Sequence, residues 1–157
     1  MIYVVDIKKH DENKDALLDY FEMMQTTYNI KQDEYISFTD YFSHFNYHPP
    51  YEQLFHKTIG DELQTFCDSL DEQLTFHMQG CWVHQYETNN SFGWHTHEFC
   101  QFAAVYYLEL PDDSEAAQFR PHIKVPPIKE GQLIIFPAWL PHRAPKNKSK
   151  NRNTVIT

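Results

Sequence analysis

The chain has 157 residues and a formal net charge of -9 at pH 7. Hydrophobic residues make up 41% of it and charged residues 22%, which is the composition of one globular domain that can bury a core without disulfides. The negative charge argues against a nucleic acid or an anionic membrane as the main partner.

The cysteines and the N-terminus indicate a compartment. Cys67, Cys81 and Cys100 are too few and too scattered for a disulfide framework. The N-terminal residues lack a basic segment followed by a long apolar run, so we expect no signal peptide. No stretch approaches the ~18 apolar residues that span a bilayer. The sequence therefore predicts a soluble protein of a reducing compartment, the cytoplasm.

The N-terminal half reads as one strand and two helices. The β-branched run IYVVDI, residues 2–7, predicts a short strand. Asn13 can cap a helix that runs to about Tyr28, with apolar residues at helical spacing. After the prolines of NYHPP, residues 51–74 predict a second helix with one apolar face.

The second half changes character after Gly80. Short β-branched or aromatic runs alternate with turn-forming clusters, which predicts several strands of a sandwich or barrel. These runs are CWVHQYE, FAAVYYLEL, RPHIKV, QLIIFPAW and NTVIT. Helices first and strands afterwards indicate a mainly β domain, of the α+β class, with helices packed on one side of a sheet.

The stretch GWHTHEF carries a pair of histidines one residue apart. If it is extended, alternation places His95 and His97 on one face, where two imidazoles can share a metal ion. The same alternation favours His97 over Glu98 as the second ligand, although a bulge, or a strand that ends at His97, would bring Glu98 in. Trp94, beside His95, is our candidate for a substrate-pocket residue. The chain holds ten histidines, so the pair alone does not establish a site.

Two downstream residues strengthen this interpretation. GQLIIFPAWLPH is an apolar strand and a proline-bounded turn that deliver His142 to a rim, and Arg152 follows ten residues later in RNTVIT. On that final strand Arg152, Thr154 and Ile156 share a face, where a guanidinium and a hydroxyl can bind a carboxylate. His84, in CWVHQYE, is expected to be a satisfied or exposed histidine.

The order of H-x-H, VYYLELP, GQLIIFPAWLPH and RNTVIT resembles the iron(II)- and 2-oxoglutarate-dependent oxygenases, in particular a small bacterial and phage-type branch. The similarity covers residues 77–157, and FPAWLPH with Arg152 is its most specific part. It implies a double-stranded β-helix, a cupin-like jelly roll. The domain would span residues 1–157, with 1–76 as helical support and 77–157 as the motif-bearing barrel core.

The resemblance also implies residue roles. His95 would be the first metal ligand and His142 the distal one, with Arg152 holding the 2-oxoglutarate carboxylate. Thr154 and Tyr107 would support the same carboxylate. The general family has a carboxylate where this chain has His97, although the small branch also shows H-x-H. A site of three histidines suits zinc, copper or nickel as well as iron.

The expected function is thus that of a dioxygenase that uses Fe(II), dioxygen and 2-oxoglutarate, hydroxylates a small molecule or peptide and releases succinate and CO2. A cupin-type enzyme with three histidines and no 2-oxoglutarate, or a non-catalytic jelly-roll binding protein, are the alternatives. The sequence identifies neither the substrate nor the oligomeric state, for which a homodimer is the common arrangement.

Overall fold

The computed structural model describes residues 2–27, 35–42, 48–71, 73–121 and 123–157. Its two helices are α1, His10–Thr27, and α2, Glu52–Leu70. The strands of the larger sheet are β1 (Tyr3–Asp6), β2 (Phe38–Thr39), β3 (Val83–Tyr86), β5 (Phe102–Glu109), β7 (Gln132–Pro137) and β9 (Asn153–Ile156). The strands of the smaller sheet are β4 (Phe92–His95), β6 (Gln118–Phe119) and β8 (His142–Ala144).

All the strand pairs are antiparallel, and they form two sheets. The six-stranded sheet has the order β1-β7-β5-β9-β3-β2, and the three-stranded sheet has the order β4-β8-β6. Strands β9 and β3 are neighbours in the larger sheet although they are far apart in sequence. The connections from β3 to β4 and from β8 to β9 cross between the two sheets. The N-terminal half supplies both edge strands of the larger sheet. It therefore completes that sheet in addition to providing the two helices.

The helices, the larger sheet and the smaller sheet form three layers, which two hydrophobic cores hold together. On one face of the six-stranded sheet, Leu17, Phe21 and Met24 of α1 and Phe55 and Ile59 of α2 are buried at helical spacing. The other face of this sheet shares a second core with the smaller sheet. Alternation along each strand decides which core a residue joins. Successive residues of β5 and of β9 therefore face the helices and the second sheet in turn.

The predicted elements are close to the observed ones, with the following differences. Helix α1 begins at His10, and Asn13 lies inside it with its amide donating to Thr58 Oγ1 at 3.0 Å, while Tyr28 lies outside the described residues. Helix α2 ends at Leu70. The described part of RPHIKV is not a strand, and β6 forms just before it. The short strands β2 and β8, the second of which begins at His142, were not predicted from the sequence.

The turn before β7 depends on Gly131. Its φ of +82° lies in the left-handed region that favours glycine. Its N–H donates to the Tyr107 carbonyl at 2.8 Å and its carbonyl accepts from Ile7 N–H at 2.9 Å. A Cβ at this position would lie 3.0 Å from the His10 ring. The turn thus holds β1, β5 and β7 together where no larger residue fits.

No helix among the described residues has the apolar length needed to cross a membrane.

Candidate metal centre

Three histidines converge at one end of the space between the two sheets. His95 ends β4 and pairs in register with His142, the first residue of β8. His97 follows two residues after β4, where its backbone N–H donates to the Ala138 carbonyl at 2.9 Å. One nitrogen from each ring lies within 4.8 Å of the others. This group is therefore built by β4 and β8, two adjacent strands of the smaller sheet, and by the turn that follows β7.

Backbone carbonyls orient two of the rings. His95 Nδ1 lies 2.8 Å from the Gly93 carbonyl, and His142 Nδ1 lies 3.0 Å from the Leu140 carbonyl. A proton on each Nδ1 leaves the Nε2 lone pair free, which is the arrangement that metal-binding histidines use. His97 Nε2 and His142 Nε2 are 3.2 Å apart. Two nitrogens bound to one ion at about 2.1 Å are separated by about 3.0–3.4 Å, so this pair fits a shared ion.

The electrostatics keep these rings neutral. Burial lowers the pKa of His95, and it lowers the pKa of His97 and of His142 to about 4. The neighbouring imidazoles act in the same direction on His97 and His142. Metal ligation requires neutral imidazole, so all three side chains are ready to bind a divalent cation at pH 7 without first losing a proton.

Glu98 is exposed and lies outside the group that the described residues form. Of the two candidates for the second ligand, the structure brings His97 to the other histidines. Strand β4 ends at His95. Beyond it, the His97 N–H donates to the Ala138 carbonyl, and the centroid of the His97 ring lies 5.0 Å from that of the His142 ring.

The three histidines line a cavity of about 260 Å³ between the sheets. Its floor is the inner face of the larger sheet, and Tyr107 of β5 is one of the predicted residues that line it. The Tyr107 hydroxyl accepts from the Ala117 N–H at 2.8 Å, which leaves its own proton free to be donated. Burial raises the Tyr107 pKa well above its ordinary value, so this proton is retained at neutral pH.

Arg152, the residue before β9, and Thr154 do not line this cavity, whereas Asn153 and Val155 of β9 do. The Arg152 guanidinium donates to both carboxylate oxygens of Glu109, at 2.8 and 3.1 Å, and the Thr154 hydroxyl donates to the same carboxylate. The sequence correctly predicts that Arg152, Thr154 and Ile156 share a face, but Ile156 belongs to the core under the helices. The structure therefore does not bring Arg152 and Thr154 to the histidines.

Trp94 also lies away from the cavity. The guanidinium carbons of Arg120 and Arg143 lie over its ring, 4.1 and 4.8 Å from the ring centroid, in a separate groove. The pairing of β4 with β8 is irregular between Phe92 and His95. This irregularity turns both Phe92 and His95 inward and leaves Trp94 on the outer face. Trp82 is the tryptophan that lines the histidine cavity.

Three buried side-chain atoms without a hydrogen-bond partner among the described residues all belong to this cavity: His84 Nδ1, Asn153 Oδ1 and Thr157 Oγ1. His84 and Asn153 are 6% and 7% exposed. Burial lowers the His84 pKa to about 3, so this ring is neutral. Unpaired buried polar atoms are costly, and their presence on one wall indicates a ligand that completes their bonds. The sequence reasoning missed these residues, because only the cavity-facing alternation of β3 and β9 distinguishes them.

Comparisons with known proteins support the fold. No model of a known protein family and no curated protein matches the sequence. The viral collagen prolyl hydroxylase of Paramecium Bursaria Chlorella virus-1, solved as a 2OG complex, matches with a TM-score of 0.68 at 14% identity, over 99% of this chain and 92% of that one. A Pseudomonas putida prolyl-4-hydroxylase matches with a TM-score of 0.65 at 13% identity, over 99% and 89%.

An oxidoreductase of the 2OG-Fe(II) oxygenase family from Burkholderia pseudomallei matches with a TM-score of 0.54 at 16% identity. That match covers 67% of this chain and 54% of the other, so the chain spans about half the length of the Burkholderia protein. At these identities the similarity shows a shared fold. The fold of this chain is thus the one found in 2OG-Fe(II) oxygenases, as the sequence resemblance predicted.

Proposed function

We propose that this protein is a non-haem iron(II) and 2-oxoglutarate-dependent dioxygenase, in one jelly-roll domain that spans the chain. The observation that carries the proposal is the group of three neutral histidines at the mouth of a cavity between two antiparallel sheets. The shared fold agrees with it. The contribution of β1 and β2 to the larger sheet supports a single domain.

His95, His97 and His142 would hold the metal. Their nitrogens and their depressed pKa values fit a divalent ion, and the Gly93 and Leu140 carbonyls hold two of the rings in the required orientation. When bound, iron and 2-oxoglutarate would supply oxidation of a substrate C–H bond by dioxygen, with release of succinate and CO2. The cavity walls exclude water and position the reactants.

We assign the co-substrate anchor to the cavity face of β9 and its neighbours. Asn153 is opposite Tyr86 and diagonal to His84 across the β3–β9 pair, about 7–8 Å away. A carboxylate only accepts hydrogen bonds, so the Asn153 amide would turn its Nδ2–H toward it, and a proton on His84 Nδ1 would make the second donor. The free Tyr107 proton is a further donor. Arg152 is already paired with Glu109, and we assign it the role of holding β9 against β5.

The charges of the site agree with uncharged side chains as the groups that bind the 2-oxoglutarate carboxylate. Three neutral imidazoles leave the full double positive charge of a divalent ion uncompensated. A dianionic 2-oxoglutarate would neutralise that charge by itself. Two charged side chains line the cavity among the described residues. The Arg143 guanidinium is bonded to Gln118 at 2.7 and 2.9 Å, and the Glu115 carboxylate pairs with Lys148 at 3.6 Å.

A second candidate function is a three-histidine metal enzyme of the cupin type that does not use 2-oxoglutarate. Two observations favour it, namely His97 at the position of a carboxylate and Arg152 outside the cavity. It requires the same metal but no co-substrate binding, so a binding measurement with 2-oxoglutarate separates the two functions. We place either enzyme in the cytoplasm, since the three cysteines are free, and with a small molecule or peptide as substrate.

Succinate release tests the proposal. Purified protein with Fe²⁺, ascorbate and 2-oxoglutarate is expected to release succinate slowly without an added substrate, and His142→Ala is expected to abolish this release. His48→Ala is the control, because His48 is exposed and pairs with Glu52 at 3.0 Å, outside the histidine group. Equal release from wild type and His142→Ala would refute the proposal. Stoichiometric metal without succinate release would favour the cupin-type enzyme.

A further inference from the structure

A second cavity meets the histidine cavity at one of the candidate metal ligands. It has a volume of about 380 Å³ and lies between α2, residues 74–82 and the start of β5. His97, Trp82 and Thr157 line both cavities. The second cavity therefore adjoins the candidate metal centre at His97, while His95, His142 and the polar wall of His84 and Asn153 belong to the first cavity alone.

The lining of this second cavity is apolar. Its walls come from the inward faces of α2 and β5 and from the segment between α2 and β3, and none of its lining residues among the described part of the chain carries a charged side chain. The main wall residues are Phe55, Ile59, Leu63, Phe66, Phe76, Met78, Ala103 and Ala104. A charged ligand would lose its hydration here without finding a partner, whereas an apolar ligand gains from burial.

The mouth of the cavity is apolar as well. Leu70 and Leu74 are each 45% exposed and Phe102 is 42% exposed, and all three line the cavity. Protein interiors are close-packed, and voids of this size in them are few. An open pocket of this volume with an apolar rim beside a reaction centre is typical of a ligand site.

We propose that this pocket binds the substrate, and that the substrate is an uncharged small molecule with an aliphatic chain, held with a C–H bond beside His97. The inference rests on the proposed function, since it takes the histidines as the reaction centre. The pocket selects for chain length and against charge. The polar co-substrate and the apolar substrate thereby occupy separate cavities that meet at His97, Trp82 and Thr157.

Binding of 1-butanol, 1-hexanol and 1-octanol tests the inference by calorimetry on the full chain loaded with Mn²⁺. Each methylene buried in the pocket should strengthen binding about fourfold. Ala104→Leu narrows the pocket from β5 and is expected to weaken 1-octanol at least about tenfold. Leu74→Glu places a charge at the mouth, on a half-exposed residue whose change does not endanger folding, and is expected to weaken 1-octanol by about the same factor.

Ile123→Glu is the matched control, because Ile123 is 39% exposed and lines the groove beside Trp94 instead. It should leave 1-octanol binding unchanged within about twofold. No dependence on chain length, or equal effects of Leu74→Glu and Ile123→Glu, would overturn the inference. A wild type that releases succinate but binds no alcohol refutes the apolar pocket and leaves the proposed function standing. Chain-length-dependent binding without succinate release supports the pocket and refutes the proposed function.

Discussion

The pairing of Arg152 with Glu109 yields a prediction that separates structural from co-substrate roles on one strand. Arg152→Met keeps the length of the side chain and removes both hydrogen bonds to the Glu109 carboxylate. Hydrogen bonds to charged groups contribute about 1.5–3 kcal/mol. The Arg152 and Glu109 side chains are 35% and 20% exposed, and solvent screening reduces the energy of such a pair. We therefore expect a loss of about 2 kcal/mol of unfolding free energy.

For a chain of this length, that loss corresponds to a melting temperature lower by about 4–8 °C, which scanning calorimetry resolves. The affinity for 2-oxoglutarate, measured by anaerobic titration of the Mn²⁺-loaded protein below the melting range, should change less than about threefold, because Arg152 is paired with Glu109 and does not line the histidine cavity. Asn153→Leu, one residue away on the cavity face, should weaken 2-oxoglutarate binding at least about tenfold.

Loss of 2-oxoglutarate binding in Arg152→Met, with binding intact in Asn153→Leu, would refute these two roles. That result would mean that the guanidinium leaves Glu109 and enters the cavity when the co-substrate binds. A tenfold loss of 2-oxoglutarate affinity in both variants would also contradict the structural role of Arg152, because a residue that only holds β9 against β5 should not change that affinity tenfold.

Three further predictions concern stability. Burial raises the pKa of Asp40, which accepts from the Tyr51 hydroxyl at 2.9 Å, from 3.8 to about 6. Its stabilising contribution is present below pH 3.8 and is lost as the pH rises through about 6. Between pH 4 and 7 the unfolding free energy of Asp40→Asn should therefore rise by about 2 kcal/mol relative to that of the wild type in denaturant titrations; a constant difference would contradict this. Gly131→Ala should cost about 2 kcal/mol, because its φ is +82° and its Cβ would press on His10, whereas Gly93→Ala, with open space around its Cβ, should cost less than 1 kcal/mol. Mn²⁺ at about a hundredfold over its dissociation constant should raise the melting temperature by about 5–10 °C, and EDTA should reverse the shift; no shift would show that no metal binds the folded state.

The sequence predicts the strands and helices well where the apolar pattern is long. The apolar run of β7 is unbroken because its two faces pack on the two cores, and the apolar stripe of α2 has the helical period because one face of the helix packs on one core. The convergence of His95 with His142 is predicted by order and spacing along the chain, and the structure pairs them across β4 and β8. Short strands such as β6 and β8 depend on tertiary pairing, and their residues carry too little pattern to reveal them.

The face of a strand is harder to predict than the strand itself. Arg152 and Asn153 are neighbours, and their roles depend on which of them faces the cavity. The register of β9 shifts against β5 between Tyr107 and Glu109, and this shift accompanies the placement of the Glu109 carboxylate beside Arg152. The irregular pairing of β4 with β8 likewise accompanies the position of Trp94 on the outer face, away from the cavity. Such bulges arise from pairing across the sheet, which a single sequence does not display.

The central claim is that His95, His97 and His142 together hold one divalent ion. Titration of the metal-free protein with Co²⁺, followed by visible absorption, tests it most directly. We expect saturation at about one ion per chain. His142→Ala should weaken Co²⁺ binding by more than the ~10–100-fold that is lost when a group hydrogen-bonded to a metal ligand is removed. His48→Ala should bind Co²⁺ like the wild type. Absence of saturable binding in the wild type, or equal binding by His142→Ala, would contradict it.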